Sequence, residues 1–124
     1  MSTHTDVVLA FLRAMEAKDF AVALTLVADD VTYTNGPMGT FSGPDGIRAV
    51  LEPFFSPMTS QQFIIKSTAE SGHTVHVERL DRHEFSGKWV ELPVAGVFTV
   101  EHGLISAWTE YFDAATIVNA MAAL

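Results

Sequence analysis

Polar side chains two residues apart recur three times in this chain: Tyr33 and Asn35, Arg79 and Asp81, and Trp108 and Glu110. On a β-strand such partners share a face. Each pair shares it with apolar neighbours, Val31 for the first, Val75 and Val77 for the second, Leu104 and Phe112 for the third. If all three look into one cavity, they gather a phenol, an amide, a guanidinium, two carboxylates and an indole in an apolar shell. A pocket with a few convergent polar groups is the usual form of a small-ligand site. One arginine between two carboxylates holds both through bidentate hydrogen bonds. Two carboxylates close together in a dry pocket do not readily both ionise, so one keeps a proton at neutral pH. One arm is then a general acid and the other a general base. A base carboxylate flanked by Tyr33 and Asn35 can hold a water through three hydrogen bonds. This is equipment for acid-assisted attack of water on a strained, neutral electrophile. No nucleophilic side chain, metal or cofactor is required. Positioned acid and base groups contribute on the order of 10²–10⁴-fold each.

The elements that must position these groups follow from periodicity. Between Val75 and His83, two valines lead into Arg79 and Asp81 on a single face. Burying such a charge pair costs several kcal/mol unless it is well hydrogen-bonded, so its place on a core face asks for a reason. From Gln61 onward the period is two, which predicts strands over 63–70, 73–85, 88–101 and 104–112. Their linkers, Ser71-Gly72, Ser86-Gly87 and His102-Gly103, are short enough to make hairpins, so this sheet is antiparallel. A shorter strand over 31–35 is stopped by Gly36-Pro37.

Helices are expected elsewhere. Thr5 is placed to cap a first helix whose stripe is Val8, Phe11, Leu12 and Met15. Asp19 caps a second, with Phe20, Ala23, Leu24 and Val27 inward and Asp29-Asp30 at its end. Ser42-Gly43-Pro44-Asp45 opens a third, carrying Ile47, Val50, Leu51 and Phe54 and closed by Pro53 and Pro57. Asp113 caps a last helix over 114–121. The fold class is α+β: a cone made of a curved, mainly antiparallel sheet packed against three to four helices, with an apolar pocket inside.

Composition narrows the partners. The 124 residues fit a single domain spanning 1–124, and 48% hydrophobic content marks a globular chain. There is no cysteine, which excludes disulfides, thiolate catalysis and cysteine-zinc sites and is compatible with the cytoplasm, the location expected here. No run of about 18 apolar residues is present, and the start, Met1-Ser2-Thr3, does not open a signal-peptide pattern. The net charge of −8 disfavours nucleic acid and anionic membranes. His73 and His76 face opposite ways on a strand, and His83 and His102 lack helical i, i+4 partners, so no metal site is expected.

Four motifs, Tyr33-Thr34-Asn35, Glu78-Arg79-Leu80-Asp81, Gly96-Val97-Phe98 and Trp108-Thr109-Glu110-Tyr111-Phe112-Asp113, occur in an order and at separations that resemble the limonene-1,2-epoxide hydrolase family. That family lies within the nuclear-transport-factor-2-like and SnoaL-like fold group. The resemblance runs from about Val8 to about Met121. It implies a cofactor-independent epoxide hydrolase acting on a small apolar epoxide. Asp81 would protonate the epoxide oxygen, Arg79 would bridge the carboxylates, and Tyr33 and Asn35 would help hold the attacking water. The family's base is an aspartate directly before Tyr-Phe, and here that position is Glu110, longer by one methylene or roughly 1.5 Å. Trp108 falls on a lining position, and the first helix would add Leu12 and Met15 to the lining. Phe54 and Met58 would follow from the third helix and its loop, Leu92 and Val94 from a strand, and Phe112 and Ile117 from the C-terminal end. His83 falls where the family is usually apolar, which suggests a more polar or differently shaped substrate. A homodimer through the sheet is also implied, and Leu80, opposite Arg79, needs a cover. The competing readings are a SnoaL-like cyclase, a ketosteroid-isomerase-like enzyme and a non-catalytic ligand-binding protein of the same fold. An arginine wedged between two carboxylates argues against a lone shuttling base.

Overall fold

A computed structural model describes residues 3–124. Met1 and Ser2, which begin the stretch read for a signal peptide, lie outside the described residues. Helix α1, His4–Glu16, is capped by Thr3 and not by Thr5: the Thr3 side chain accepts from Asp6 N–H, and Asp6 returns a bond to Thr3 N–H. This capping box satisfies two donors at the helix start. Thr5 instead donates through its hydroxyl and its N–H to Glu70. The stripe of Val8, Phe11, Leu12 and Met15 is buried as the spacing predicts.

Asp19 caps helix α2, Phe20–Ala23, but that helix is a single turn followed by a 3-10 turn, Leu24–Leu26. Val27, Asp29 and Asp30 are therefore not helical. They open strand β1, Val27–Asn35, longer than the expected 31–35. Val27 pairs with Ile105 across the sheet, and that pairing overrides the local helical pattern. A 3-10 turn, Gly36–Met38, leads to strand β2, Thr40–Ser42, which the sequence reading did not anticipate. Helix α3, Gly43–Phe55, runs through Pro53 to Phe55. Pro53 and Ala49, whose carbonyl Pro53 leaves unbonded, both lie on the exposed face, where water can satisfy it.

The four long strands appear where the period of two places them: β3, Ser60–Ser71; β4, Thr74–Phe85; β5, Lys88–Glu101; and β6, Leu104–Tyr111. Helix α4, Ala114–Ala122, follows, capped by Asp113. The hairpins joining β4–β5 and β5–β6 turn through Ser86-Gly87 and His102-Gly103, each pair at positive φ. That is the backbone twist a two-residue hairpin between right-twisted strands needs.

The sheet order is β2-β1-β6-β5-β4-β3. Every neighbouring pair is antiparallel except β1 and β6, which run parallel. Four helices pack against this six-stranded, mostly antiparallel sheet, as the cone requires. The inner face of β4 is continuous: Val75, Val77, Arg79, Asp81, His83 and Phe85 are all buried. Three ionisable side chains thus stand in a core wall of otherwise apolar residues.

Candidate active site

The three polar pairs converge because of strand register. Parallel pairing sets Tyr33 beside Trp108 and Asn35 beside Glu110. Antiparallel pairing then sets Phe98 beside Trp108 and Gly96 beside Glu110. On the other side, Arg79 pairs with Val94 and Asp81 with Leu92. Val94 lies two residues from Gly96 along β5, so Arg79 reaches Glu110 diagonally, over Gly96.

That reach is made with hydrogen bonds at both ends. Arg79 Nε donates to Asp81 Oδ1 at 2.7 Å and Nη2 to Oδ2 at 3.1 Å. Arg79 Nη1 donates to Glu110 Oε2 at 3.0 Å, and Nη2 also donates to Glu110 Oε1. All three residues are at least 95% buried. The guanidinium also lies 5.4 Å above the Phe63 ring, a cation–π contact that adds to its desolvated attraction. Burial works against the charge on Arg79, but Glu110 and Asp81 outweigh it and hold the guanidinium charged.

With both carboxylates ionised the triad would carry a net negative charge in a dry interior. One proton shared between them makes it neutral, which is the cheaper state. Burial raises Asp81 above the usual carboxylate range, partly offset by Arg79, with a further push from the Glu16 charge. Burial raises Glu110 as well, again offset by Arg79, with a further push from the Asp81 charge. Trp108 stands close enough to favour the charged form of Glu110, although its indole N–H does not reach hydrogen-bond geometry. Outside the triad, then, Glu16 pushes Asp81 toward protonation while Trp108 pulls Glu110 toward ionisation. Burial and the Glu110 charge push the Tyr33 hydroxyl upward, so it is a proton-bearing donor.

These groups open into a cavity of about 320 Å³. Tyr33, Asn35, Arg79, Asp81, Trp108 and Glu110 all line it. So do the predicted Leu12, Met15, Phe54, His83, Leu92, Val94, Phe112 and Ile117. Met58 does not: it is buried in the core but off the cavity wall. Beyond α3 the chain turns tightly, with Met58 N–H bonded to Phe55 O, and Met58 packs into the core instead. Phe55 and Phe63, which the sequence reading did not single out as lining, take wall positions there. A signal existed for Phe63, since its β3 position registers opposite Asp81, but the register is not visible in one strand alone. Tyr33 stacks on Trp108 at 4.3 Å, and Phe98 stacks on its other side at 5.6 Å, which fixes the indole plane.

His83 is the one further ionisable wall group. It is 2% exposed, with the Phe54 ring edge-on at 5.5 Å. Burial and the nearby Arg79 charge lower it to about 4, so the imidazole is neutral at pH 7. Among the described residues no group of three or more His, Cys, Asp or Glu is arranged to hold a metal ion. No helix among them is long and apolar enough to cross a membrane.

The chain as a whole is similar to known proteins in sequence and in fold. A model of the limonene-1,2-epoxide hydrolase catalytic domain matches residues 2–123. The epoxide hydrolase EphG of Mycobacterium tuberculosis is 30% identical over 104 residues, spanning 84% of this chain and 69% of that protein. The solved structure of a limonene-epoxide-hydrolase-like epoxide hydrolase from M. tuberculosis superposes with a TM-score of 0.83 at 26% identity, covering 97% of this chain and 90% of that one. A protein of Shewanella putrefaciens described as a candidate SnoaL-like polyketide cyclase superposes with a TM-score of 0.87 at 14% identity, covering 100% of this chain and 99% of that one, and so shares the fold. With a family match over nearly its whole length, the chain belongs to the limonene-1,2-epoxide hydrolase family.

Proposed function

We propose that this protein hydrolyses a small, largely apolar epoxide to a vicinal diol in one step, without a cofactor. Asp81 is the acid that protonates the epoxide oxygen. Glu110 is the base that takes a proton from water as the water attacks a ring carbon. The C–O bond breaks as the new one forms; the epoxide oxygen keeps the Asp81 proton, Glu110 holds the proton from the water, and exchange with solvent after the diol leaves returns a proton to Asp81 and frees Glu110. Tyr33 and Asn35 orient the water beside Glu110, and Arg79 keeps the two carboxylates in register. The observation that carries this reading is Arg79 held bidentate to both Asp81 and Glu110 on the wall of an apolar cavity. A plain binding pocket has no need to bury that set, which by itself is costly.

The extra methylene of Glu110 does not by itself remove it from reach of Arg79, because Gly96 leaves room for its carboxylate. We carry the homodimer as part of this proposal. Its support is the apolar row Ile64, Leu80 and Pro93 on the outer face of the sheet, where Ile64 is 44% exposed. Light scattering at micromolar concentration tests it.

The decisive experiment is diol formation from a panel of apolar epoxides in ¹⁸O-labelled water, comparing the native chain with Asp81→Asn and Glu110→Gln. Label in the diol from the first turnover, with both variants slowed by at least about 10²-fold, supports direct water attack by this pair. No diol from any epoxide, with the protein folded and still taking apolar ligands, shifts the reading to a cyclase, an isomerase or a binding protein.

A further inference from the structure

We infer that His83 Nε2 is a hydrogen-bond acceptor for the substrate, so that the preferred epoxide carries a hydroxyl or N–H group about one ring's width from the oxirane; this rests on the hydrolase reading above.

Gln61, beside His83, is 7% exposed. Its amide nitrogen donates to the carbonyls at the end of α1, to Met15 O at 2.8 Å and to Glu16 O at 3.3 Å. Both amide hydrogens are thereby used, and the orientation of the amide is set. Its oxygen must then face the other way, where it lies 3.3 Å from His83 Nδ1. An amide oxygen only accepts, so Nδ1 carries the hydrogen. The imidazole is neutral, so Nε2 carries a lone pair and no hydrogen.

That lone pair has no protein partner among the described residues. It is also not sealed in: Trp108 Nε1 is the one fully buried side-chain nitrogen or oxygen left without a partner among them. His83 lines the cavity, so its open nitrogen meets cavity space. Aromatic rings crowd it instead. Phe54, Phe55 and Phe63 ring the imidazole at 5.5 to 6.5 Å. The nearest charged donor, Arg79, is committed to Asp81 and Glu110. An acceptor held in one tautomer inside an aromatic wall favours a ligand that brings the donor.

Position sets the spacing. His83 and Asp81 share one face of β4 two residues apart, a rise of roughly 7 Å along the strand. A six-membered ring with one short substituent spans that distance, with the oxirane toward Asp81 and the donor toward His83. An unsubstituted hydrocarbon would leave Nε2 unpaired and desolvated.

The test has two arms. In the first, ¹⁵N resonances of the native protein give the His83 tautomer directly, and titration with methylcyclohexanol or methylcyclohexane reads the ligand. Nδ1–H with an unprotonated Nε2 that shifts for the alcohol and not for the hydrocarbon is the expected result. An Nε2–H tautomer, or equal response to both, overturns the inference. In the second arm, kcat/KM is compared for a cyclohexene oxide bearing a hydroxymethyl group and for its ethyl counterpart. The native enzyme should prefer the hydroxymethyl substrate by roughly three- to tenfold, the worth of one hydrogen bond, and His83→Phe should bring the ratio near one. A native ratio of one, or a preference that survives in His83→Phe, also overturns it. If neither epoxide is turned over while the alcohol still shifts Nε2, the hydrolase reading has failed and the acceptor role stands.

Discussion

Gly96 faces Glu110 across β5 and β6, and a Cβ at position 96 would lie 2.6 Å from Glu110 Oε2 and 3.0 Å from Arg79 Nη1. The ion pair thus occupies the space that any side chain at 96 would fill. Two consequences follow for the chemistry. The guanidinium can cross β5 to reach its second carboxylate, and a glutamate, longer than the family's aspartate, has somewhere to put its extra length.

Gly96→Ala therefore acts by overpacking and not through backbone strain, since Gly96 is not among the positive-φ glycines. It should destabilise the fold by about 1–3 kcal/mol in urea unfolding. It should also lower kcat by at least about tenfold, because Glu110 must move from the place proposed for it beside the attacking water. Shortening the base in a Gly96→Ala, Glu110→Asp double variant should recover part of both losses. Strict additivity of the two changes would show that 96 and 110 do not share this space.

Trp108 tunes Glu110 through a neighbouring N–H that has no partner of its own. Trp108→Phe removes that N–H and keeps a ring between Tyr33 and Phe98. The charged form of Glu110 loses a favourable neighbour, so its pKa rises further. In the proposed role of base Glu110 must be ionised to work, so the acidic limb of the pH–rate profile should move to higher pH. Stability should change by less than about 2 kcal/mol, because loss of apolar area is offset by loss of an unsatisfied buried donor. A limb that stays in place would detach Trp108 from the base.

Tyr33 contributes a hydroxyl in a ring already held by stacking on Trp108 at 4.3 Å. Tyr33→Phe keeps the stack and removes one of three proposed contacts to the attacking water. We expect kcat to fall about tenfold with KM little changed and with thermal unfolding shifted by only a few degrees. An unchanged kcat would leave the water to Asn35 and Glu110 alone.

His83 makes stability depend on pH. Its folded value lies near 4, against 6.5 for the exposed side chain. Below 6.5 the unfolded chain binds a proton that the folded chain refuses until about pH 4. Stability due to this group is thus lost as pH falls from 6.5 to 4, by up to about 3 kcal/mol. Asp81 and Glu110 act in the opposite sense: their raised values mean that stability declines as pH rises through them. Subtracting the unfolding profile of His83→Phe from that of the native chain isolates the histidine. The difference should grow as pH rises from 4 to 6.5, and a flat difference would mean that the folded ring takes up its proton as readily as the unfolded one.

How much of this was legible in the chain depends on the range of the interaction involved. The alternation from Val75 to Phe85 is a local property, since a strand with period two has only one way to bury its valines. It puts Arg79 and Asp81 on the inner wall without any partner strand, whereas His83 is assigned to the lining through the family resemblance. The hairpins at Ser86-Gly87 and His102-Gly103 were likewise readable, because two adjacent left-handed residues are a local backbone demand. Helix starts were readable to within a residue or two, as Asp19 and Asp113 illustrate, and Thr3 in place of Thr5 shows the limit.

What the tertiary structure decided was pairing. Nothing local to 27–35 announces that β1 lies parallel to β6, yet that register alone puts Tyr33 beside Trp108 and Asn35 beside Glu110. The same distant pairing drew Val27, Asp29 and Asp30 out of a helical pattern and into a strand. The ion pair that fills the space over Gly96 and the amide of Gln61 that sets the tautomer of His83 are both meetings of segments far apart in the chain. Periodicity tells each residue which side of its own strand to occupy. Which residue stands opposite depends on register between strands, and register is settled only when the whole inner face is buried together.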